Sequence, residues 1–527
     1  MELRHISKLE KATKKSRNEV FRLGIGLIFI IAVMLYAMAD SGIGNSMFVV
    51  IAAMTGGYMA LNIGANDVAN NVGPAVGARA ISLVWALVVA AVFEAAGAII
   101  AGGEVVGTIR GGIIRPEAFQ DANTFLWVMM AALLASAIWM NIATVIGAPV
   151  STTHAVVGGV LGAGIAAAGL DVVNSGTVIG ISLSWILSPV VGAAFAAAFL
   201  YLIKRTITYQ PDMLAAARRV VPFLIALMVW VFSAYLLLKG FKNVFRMPLW
   251  LALLIGLVLA VAALVVVRPL IQRYQPVVDH PKQAVNRLFT FPLVFSAALL
   301  SFAHGSNDVS NAVGPLAAIV DAYTSGAEAL AADAPVPLWV LLVGALGISL
   351  GLVLFGPKLI RTVGSEITEL DQMRAFCTAM AATIPVIIAS QFGMPVSTTH
   401  IAVGAIFGIG FLREHLKNRY ARMLDEIKTH HPQGDQKAIE TFLAEFLRAP
   451  VDRKGQMLRE LKVRAREQQD PAHFSKMERR GFRRVYREEL VKRSQLFKII
   501  AAWVVTVPVS ALLGAFLFFA IRGMLLP

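Results

Sequence analysis

Gly64 to Pro74 reads GANDVANNVGP, and Gly305 to Pro315 reads GSNDVSNAVGP. A second phrase is also written twice: GAPVSTTHAVVGGVLGAG begins at Gly147 and GMPVSTTHIAVGAIFGIG at Gly393. Asp67 and Asp308 stand 241 residues apart, and Ser151 and Ser397 stand 246 apart. Two phrases repeated in the same order at nearly one offset are the trace of an internal duplication. The fold should therefore consist of two homologous halves with these phrases at equivalent places.

The sequence around the phrases belongs in a membrane. Of the 527 residues, 57% are hydrophobic and 15% charged, and the mean hydropathy is +0.70; a soluble domain has about 25% charged residues. The net charge of +15 would suggest nucleic acid in a soluble protein. Here the basic residues lie in the tail and in loops between apolar runs, which is the pattern of a polytopic membrane protein and argues against a nucleic-acid partner. The single cysteine, Cys377, excludes internal disulfides and Cys-rich metal sites, and reads as a small core residue.

Residues 1–45 comprise a basic N-terminus and an apolar run from Leu23 to Ala39, read as an extra transmembrane helix entered from the cytoplasm. Ala37-Met38-Ala39 resembles a signal-peptidase site, but the long leader and long apolar run favour an uncleaved helix. Residues 46–204 read as the first repeat, 205–287 as connecting transmembrane helices, 288–412 as the second repeat and 499–527 as the last transmembrane helix. Between the last two, 413–498 is strongly polar, with Arg479-Arg480 and Arg483-Arg484, and reads as a cytoplasmic basic helical insert. A helix needs about 20 residues to cross the hydrocarbon core. The short runs His154 to Gly169 and Ile401 to Leu412 therefore read as half-helices or re-entrant arms.

An ionisable side chain at the middle of a bilayer helix costs about 2.5–3.5 kcal/mol on insertion scales, so it signals a use. Asn66, Asp67, Asn70 and Asn71 cluster in one phrase, and Asn307, Asp308 and Asn311 in the other. A single Asn can merely glue helices together; a carboxylate with amides, duplicated with its spacing intact, points to a site. Gly64, Gly73 and Pro74, with Gly305, Gly314 and Pro315, are expected to break the helix there. Unwound carbonyls, amide oxygens and the carboxylate would then make a hard-oxygen shell for a small cation such as sodium.

The second phrase has the opposite character. Pro149 or Pro395 ends the incoming segment. Ser151, Thr152 and Thr153, or Ser397, Thr398 and Thr399, then offer hydroxyls at a helix start, where free N–H groups and the helix dipole favour an anion. A cation shell beside an anion cradle in each half suggests one shared site between the repeats and cation-coupled anion uptake. The aspartates can also accept a hydrogen bond from a protonated oxyanion. Monohydrogen phosphate carries that proton and sulfate does not, which favours phosphate.

On these residues the chain resembles the PiT family of inorganic phosphate transporters, whose hallmark is a duplicated GANDVAN-type motif. The resemblance runs from about residue 46 to 412 and includes the last span. It implies an all-α polytopic membrane protein of two homologous inverted repeats, with broken helices, re-entrant half-helices and about 12–13 membrane segments. It also implies a central phosphate site and symport with sodium or protons by alternating access, with no cofactor. By motif position, Asp67, Ser151, Thr152, Thr153, Asp308, Ser397, Thr398 and Thr399 would surround phosphate, and Asn66, Asn70, Asn307 and Asn311 would support the coupling cation. Members are expected to be homodimers with one site per protomer; the expected location is a plasma membrane, here a bacterial inner membrane. The chain departs from many members in its N-terminal helix and in carrying its insert before the last span instead of between the halves.

Glu94 lies in an apolar run where the aligned residue of the second half is Ile348; it reads either as a further coupling-cation ligand or as a polar contact between helices. His154 and His400 read as proton relays or as first-turn residues satisfying local carbonyls. His304, which replaces Ile63 of the first half, is a candidate for a private proton-coupling role. Ser151, His154 and Asp67 contain the ingredients of an intramembrane hydrolase, but no nucleophile elbow accompanies them. A sulfate or other oxyanion permease of the same fold is the closer alternative. An uncoupled anion channel would have little use for the carboxylates.

Overall fold

The computed structural model describes residues 2–39, 46–119, 121–240, 247–274, 281–325, 335–366, 370–429 and 493–525. Among them eleven helices are long and apolar enough to cross a membrane, and Thr152–Ala168 is a shorter apolar helix. The protein is an all-α polytopic membrane protein. The described residues contain no sheet, only an isolated bridge between Ile114 and Val173.

The basic N-terminus and the first apolar run form one helix, α1 (Glu2–Ala39). The first repeat comprises α2 (Met47–Asn66), α3 (Ala69–Gly77), α4 (Leu83–Ala101), α5 (Gly103–Gly107), α6 (Ala122–Ile146), α7 (Thr152–Ala168) and α8 (Ser175–Ile203). Two connecting helices follow, α9 (Met213–Gly240) and α10 (Leu249–Arg273), and then the short amphipathic α11 (Pro281–Leu288). The second half repeats the order with α12 (Thr290–Asp308), α13 (Ser310–Ser325), α14 (Leu338–Phe355), α15 (Pro357–Glu366), α16 (Gln372–Gln391), α17 (Thr398–Thr429) and α18 (Arg493–Leu525).

The halves interlock by exchanging helices. α14 packs on α2 and α4 on α12, while α18 packs on α7 and α8 on α17. α18 thus stands to the second half as α8 stands to the first. Backbone contact at the crossings requires glycine: a Cβ on Gly64 of α2 would collide with the Ile348 carbonyl of α14, and one on Gly305 of α12 with the Glu94 carbonyl of α4. The sequence alignment that sets Ile348 against Glu94 is therefore also a spatial one.

Two expectations are corrected. The helix does break inside each Asn-Asp cluster, at Asp67–Val68 and at Val309, but Gly64, Gly73 and Pro74 lie within helices. The interruption stays in the right-handed region, with Asp67 at φ −81°, ψ −38° and Val309 at φ −56°, ψ −31°. The Asp67 and Val68 carbonyls accept from Asn70 and Asn71 N–H at 3.0 Å each. Each of these two carbonyls thus accepts one bond from the turn that follows. The run Ile401 to Leu412 is likewise not a half-helix but the first part of the 32-residue α17, which continues into the charged sequence. Of the insert at 413–498, residues 413–429 and 493–498 are helical, and 430–492 lie outside the described residues.

Candidate functional site

α6 ends at Gly147 with φ 77°, and the corresponding Gly393 has φ 65°. A left-handed residue ends a helix without a Cβ clash. The proline two residues on, Pro149 or Pro395, forbids its immediate resumption. Ser151 then takes an extended conformation and caps α7, its Oγ accepting from His154 N–H at 3.3 Å. Ser397 caps α17 identically, accepting from His400 N–H at 3.2 Å. Thr152, Thr153, Thr398 and Thr399 occupy the first turn of their helices and are all buried.

The Asn-Asp clusters meet these turns in two ways. Within each half, the first Asn holds the turn in place. Asn66 Nδ2 donates to Thr144 Oγ1 and to the Ala148 carbonyl at 3.1 Å each, and its Oδ1 accepts from Val150 N–H at 3.3 Å. Asn307 does the same with Ser390 Oγ (2.9 Å), the Met394 carbonyl (3.1 Å) and Val396 N–H (3.3 Å). The aspartate takes the first-turn hydroxyl: Thr152 donates to Asp67 Oδ2 at 2.7 Å, and Thr398 to Asp308 Oδ2 at 2.8 Å.

Between the halves, the next Asn crosses over. Asn70 Nδ2 donates to Thr399 Oγ1 at 3.1 Å, and Asn311 Nδ2 donates to Thr152 and Thr153 Oγ1 at 3.0 and 3.3 Å. Thr153 in turn donates to the Val396 carbonyl at 3.2 Å. Each half-site is therefore completed by the other. Four buried oxygens, Asp67 Oδ1, Asn70 Oδ1, Asp308 Oδ1 and Asn311 Oδ1, have no protein hydrogen-bond partner. Ligand atoms of Asp67, His304 and Asp308 lie within 4.8 Å of one another. Buried acceptors left unpaired cost stability unless a ligand or ion meets them. This donor set of carboxylate and amide oxygens, with hydroxyls and two helix N-termini beside it, fits a hard cation together with an oxyanion.

Glu94 lies to one side of this group. Its Oε1 accepts from Asn71 Nδ2 at 2.8 Å and its Oε2 is 2.8 Å from His304 Nδ1, so the contact observed is a polar one between α3, α4 and α12. His304 Nε2 is 3.1 Å from Asp308 Oδ2. His154 and His400 meet edge to face, with an interplanar angle of 88°, instead of reaching the hydroxyls. Their ring centroids are 4.5 Å apart, and Trp185 lies 4.0 Å from His154 and Trp503 3.7 Å from His400. Neither ring nitrogen of His154 has a hydrogen-bond partner, so no Ser151–His154 couple of the kind a hydrolase needs is formed. Sequence reasoning missed Tyr235, Ser390 and the pair at 2.7 Å between buried Arg110 and half-buried Asp321. Only Ser306 in place of Ala65 carried a signal, since a hydroxyl added in one copy needs a partner there.

A duplicated bundle whose halves reach across to complete one buried polar site has the architecture of a membrane transporter of the inverted-repeat class. Comparison with known proteins agrees and is more specific. The Phosphate transporter family matches residues 63–514, and the chain belongs to this family. Two Helicobacter pylori proteins, each named "Putative phosphate permease", are 50% and 49% identical over 528 residues, covering 99% of both chains. A relative of the same name in Pyrococcus abyssi is 41% identical over 67% of this chain and 86% of its own. Among solved structures, "The sodium-dependent phosphate transporter" matches with a TM-score of 0.72 at 29% identity, covering 91% of this chain and all of that one.

Proposed function

We propose that the protein imports inorganic phosphate by cation-coupled symport with alternating access across a bacterial plasma membrane, most simply as a homodimer with one site per protomer. The observation that carries this reading is the reciprocal site: two buried aspartates, each bonded to a first-turn threonine, with four unpartnered side-chain oxygens between two capped helix N-termini. Phosphate would be held by Ser151, Thr152, Thr153, Ser397, Thr398 and Thr399, with Asp67 and Asp308 accepting its proton. The coupling cation would be sodium, met by Asn70 and Asn311 oxygens, with Asn66 and Asn307 fixing the turns. The relative titled as sodium-dependent supports sodium over protons; the Glu94–His304–Asp308 chain is the feature that supports protons. The domain plan follows the helix exchange: 46–204 as one repeat, and 288–412 with 499–527 as the other.

Radiolabelled phosphate uptake into proteoliposomes tests this. Uptake driven by an inward sodium gradient, insensitive to excess sulfate, is the expected result. Drive by a proton gradient alone would remove sodium, and equal competition by sulfate would remove phosphate selectivity.

A further inference from the structure

The two half-sites are not braced alike. α9, outside both repeats, packs on α12 and α4 as α1 packs on α2 and α14, so the two helices hold matching places on the two halves. Their contacts differ. α1 brings apolar side chains to α2, with Phe29, Ile30 and Val33 beside Gly57. α9 sends polar groups into the second half-site. The buried Tyr235 hydroxyl lies 2.5 Å from Ser306 Oγ. It also faces Ser390, whose hydroxyl receives Asn307 Nδ2. One turn on, Lys239 Nζ is 3.2 Å from Glu104 Oε2 and donates to the Gln391 carbonyl at 3.3 Å, at the C-terminus of α16.

The first half-site has another arrangement. Ala65 stands where Ser306 does and offers no hydroxyl. Its α6 C-terminus is met by Lys358 of α15, which donates to the Val145 carbonyl at 3.1 Å. Lys358 is the repeat counterpart of Glu104: both pairs, Glu104 with Lys358 and Trp85 with Trp339, are 254 residues apart. A lysine suits carbonyls at a helix C-terminus. The first turn receives one from within the duplicated unit; the second has an acid at that position and receives its lysine from α9.

We infer that α9 is a tether on the second half-site, in which Tyr235 and Lys239 are positioning residues that hold the Asn307 clamp and the turn at Gly393–Ser397 in register for substrate. The kinetic arm of the test rests on the phosphate-uptake reading; the exchange arm does not. Tyr235→Phe and Ser306→Ala should each raise the apparent KM for phosphate about fivefold with maximal rate kept, and the double variant should raise it far less than about twenty-five-fold, since the Tyr235–Ser306 hydrogen bond is lost in all three. Lys239→Met should impair uptake, and Lys239→Met with Glu104→Lys should restore it by rebuilding the first half's arrangement. Tyr36→Phe on α1 is the control. Hydrogen exchange should quicken at residues 391–400 in Tyr235→Phe and stay unchanged at 145–154. Wild-type KM together with wild-type exchange would overturn the tether, as would equal quickening of both turns. Wild-type protein that takes up no phosphate would instead overturn the transport reading, and exchange would still decide the tether.

Discussion

In the first half-site, Asp67 accepts from Thr152 and has Ile63 one turn before it. In the second, Asp308 accepts from Thr398, and His304 stands in that place, 3.1 Å from Asp308 and 2.8 Å from Glu94 of the other repeat. Caps, clamps and crossing asparagines are shared almost bond for bond, so the duplication preserved the parts that shape the site. The departures gather on the second half: His304, Ser306 and the acid Glu94 that reaches it from α4. One substrate meeting two half-sites needs only one of them to carry a titratable chain, and a chain of three buried groups stays stable only if each is paired.

The comparison is broken most severely at the aspartates. Asp67→Asn and Asp308→Asn should both reduce uptake to background, a loss beyond roughly 100-fold for altering one partner of a buried charged site. Proteoliposome uptake by each variant checks it; if Asp67→Asn keeps more than half the activity, the halves do not share one site. The next largest effect concerns stability. Arg110, on the π-helical turn Thr108–Gly112, pairs with Asp321 of α13, and the repeat-aligned position in the second half is Gly364. Arg110→Met should destabilise the protein by about 1–2 kcal/mol by removing the partner of the half-buried Asp321 carboxylate, read as a lowered unfolding temperature in detergent. Arg110→Met with Asp321→Asn should recover part of it.

The asymmetry itself is sharpened by a double-mutant cycle. Glu94→Gln and His304→Gln should each lower uptake about tenfold, and together no further, because the two act as one pair. A hundredfold loss in the double variant would mean two independent roles. Ile348→Val, the substitution at Glu94's counterpart, should leave uptake within about twofold, since a methylene removed from an apolar contact changes little of the site's charge.

Much of this is legible in the sequence because the duplication supplies its own control. Asp67 pairs with Asp308 and Ser151 with Ser397 by spacing alone, and α2, α6 and α7 form where hydrophobic runs and the Gly-x-Pro-x-Ser signal put them. The crossing of Asn70 to Thr399 and of Asn311 to Thr152 is not readable there, since it depends on how helices from opposite halves exchange places. Nor is the length of α17, because hydropathy ends at Leu412 whereas helical hydrogen bonding does not. The shortness of the helix break is not readable either: it spans one or two residues, and the Asp67 and Val68 carbonyls still accept from N–H groups three residues on. Tyr235 is invisible to such reasoning because α9 belongs to no repeat, so nothing in the chain can be set against it.

The smallest effect tests whether the inequality is confined to side chains. Gly147 and Gly393 both take left-handed φ, 77° and 65°, at the end of the helix that leads into the cradle. Near Gly147 a Cβ would come to 3.7 Å from Lys358 Nζ, and near Gly393 to 3.4 Å from the Glu104 carbonyl, so neither position is closed by sterics beyond the backbone itself. The cost of alanine is then the left-handed conformation alone, about 1 kcal/mol at each. Gly147→Ala and Gly393→Ala should lower the unfolding temperature by the same small amount and leave phosphate uptake untouched. A clearly larger loss at Gly393 would place part of the asymmetry in the backbone of the second turn, where Thr108 Oγ1 already donates to the Gly393 carbonyl at 2.8 Å. A displaced Gly393 would strain that bond, whereas among the described residues an added Cβ at Gly147 comes nearest to the more adaptable Lys358 side chain.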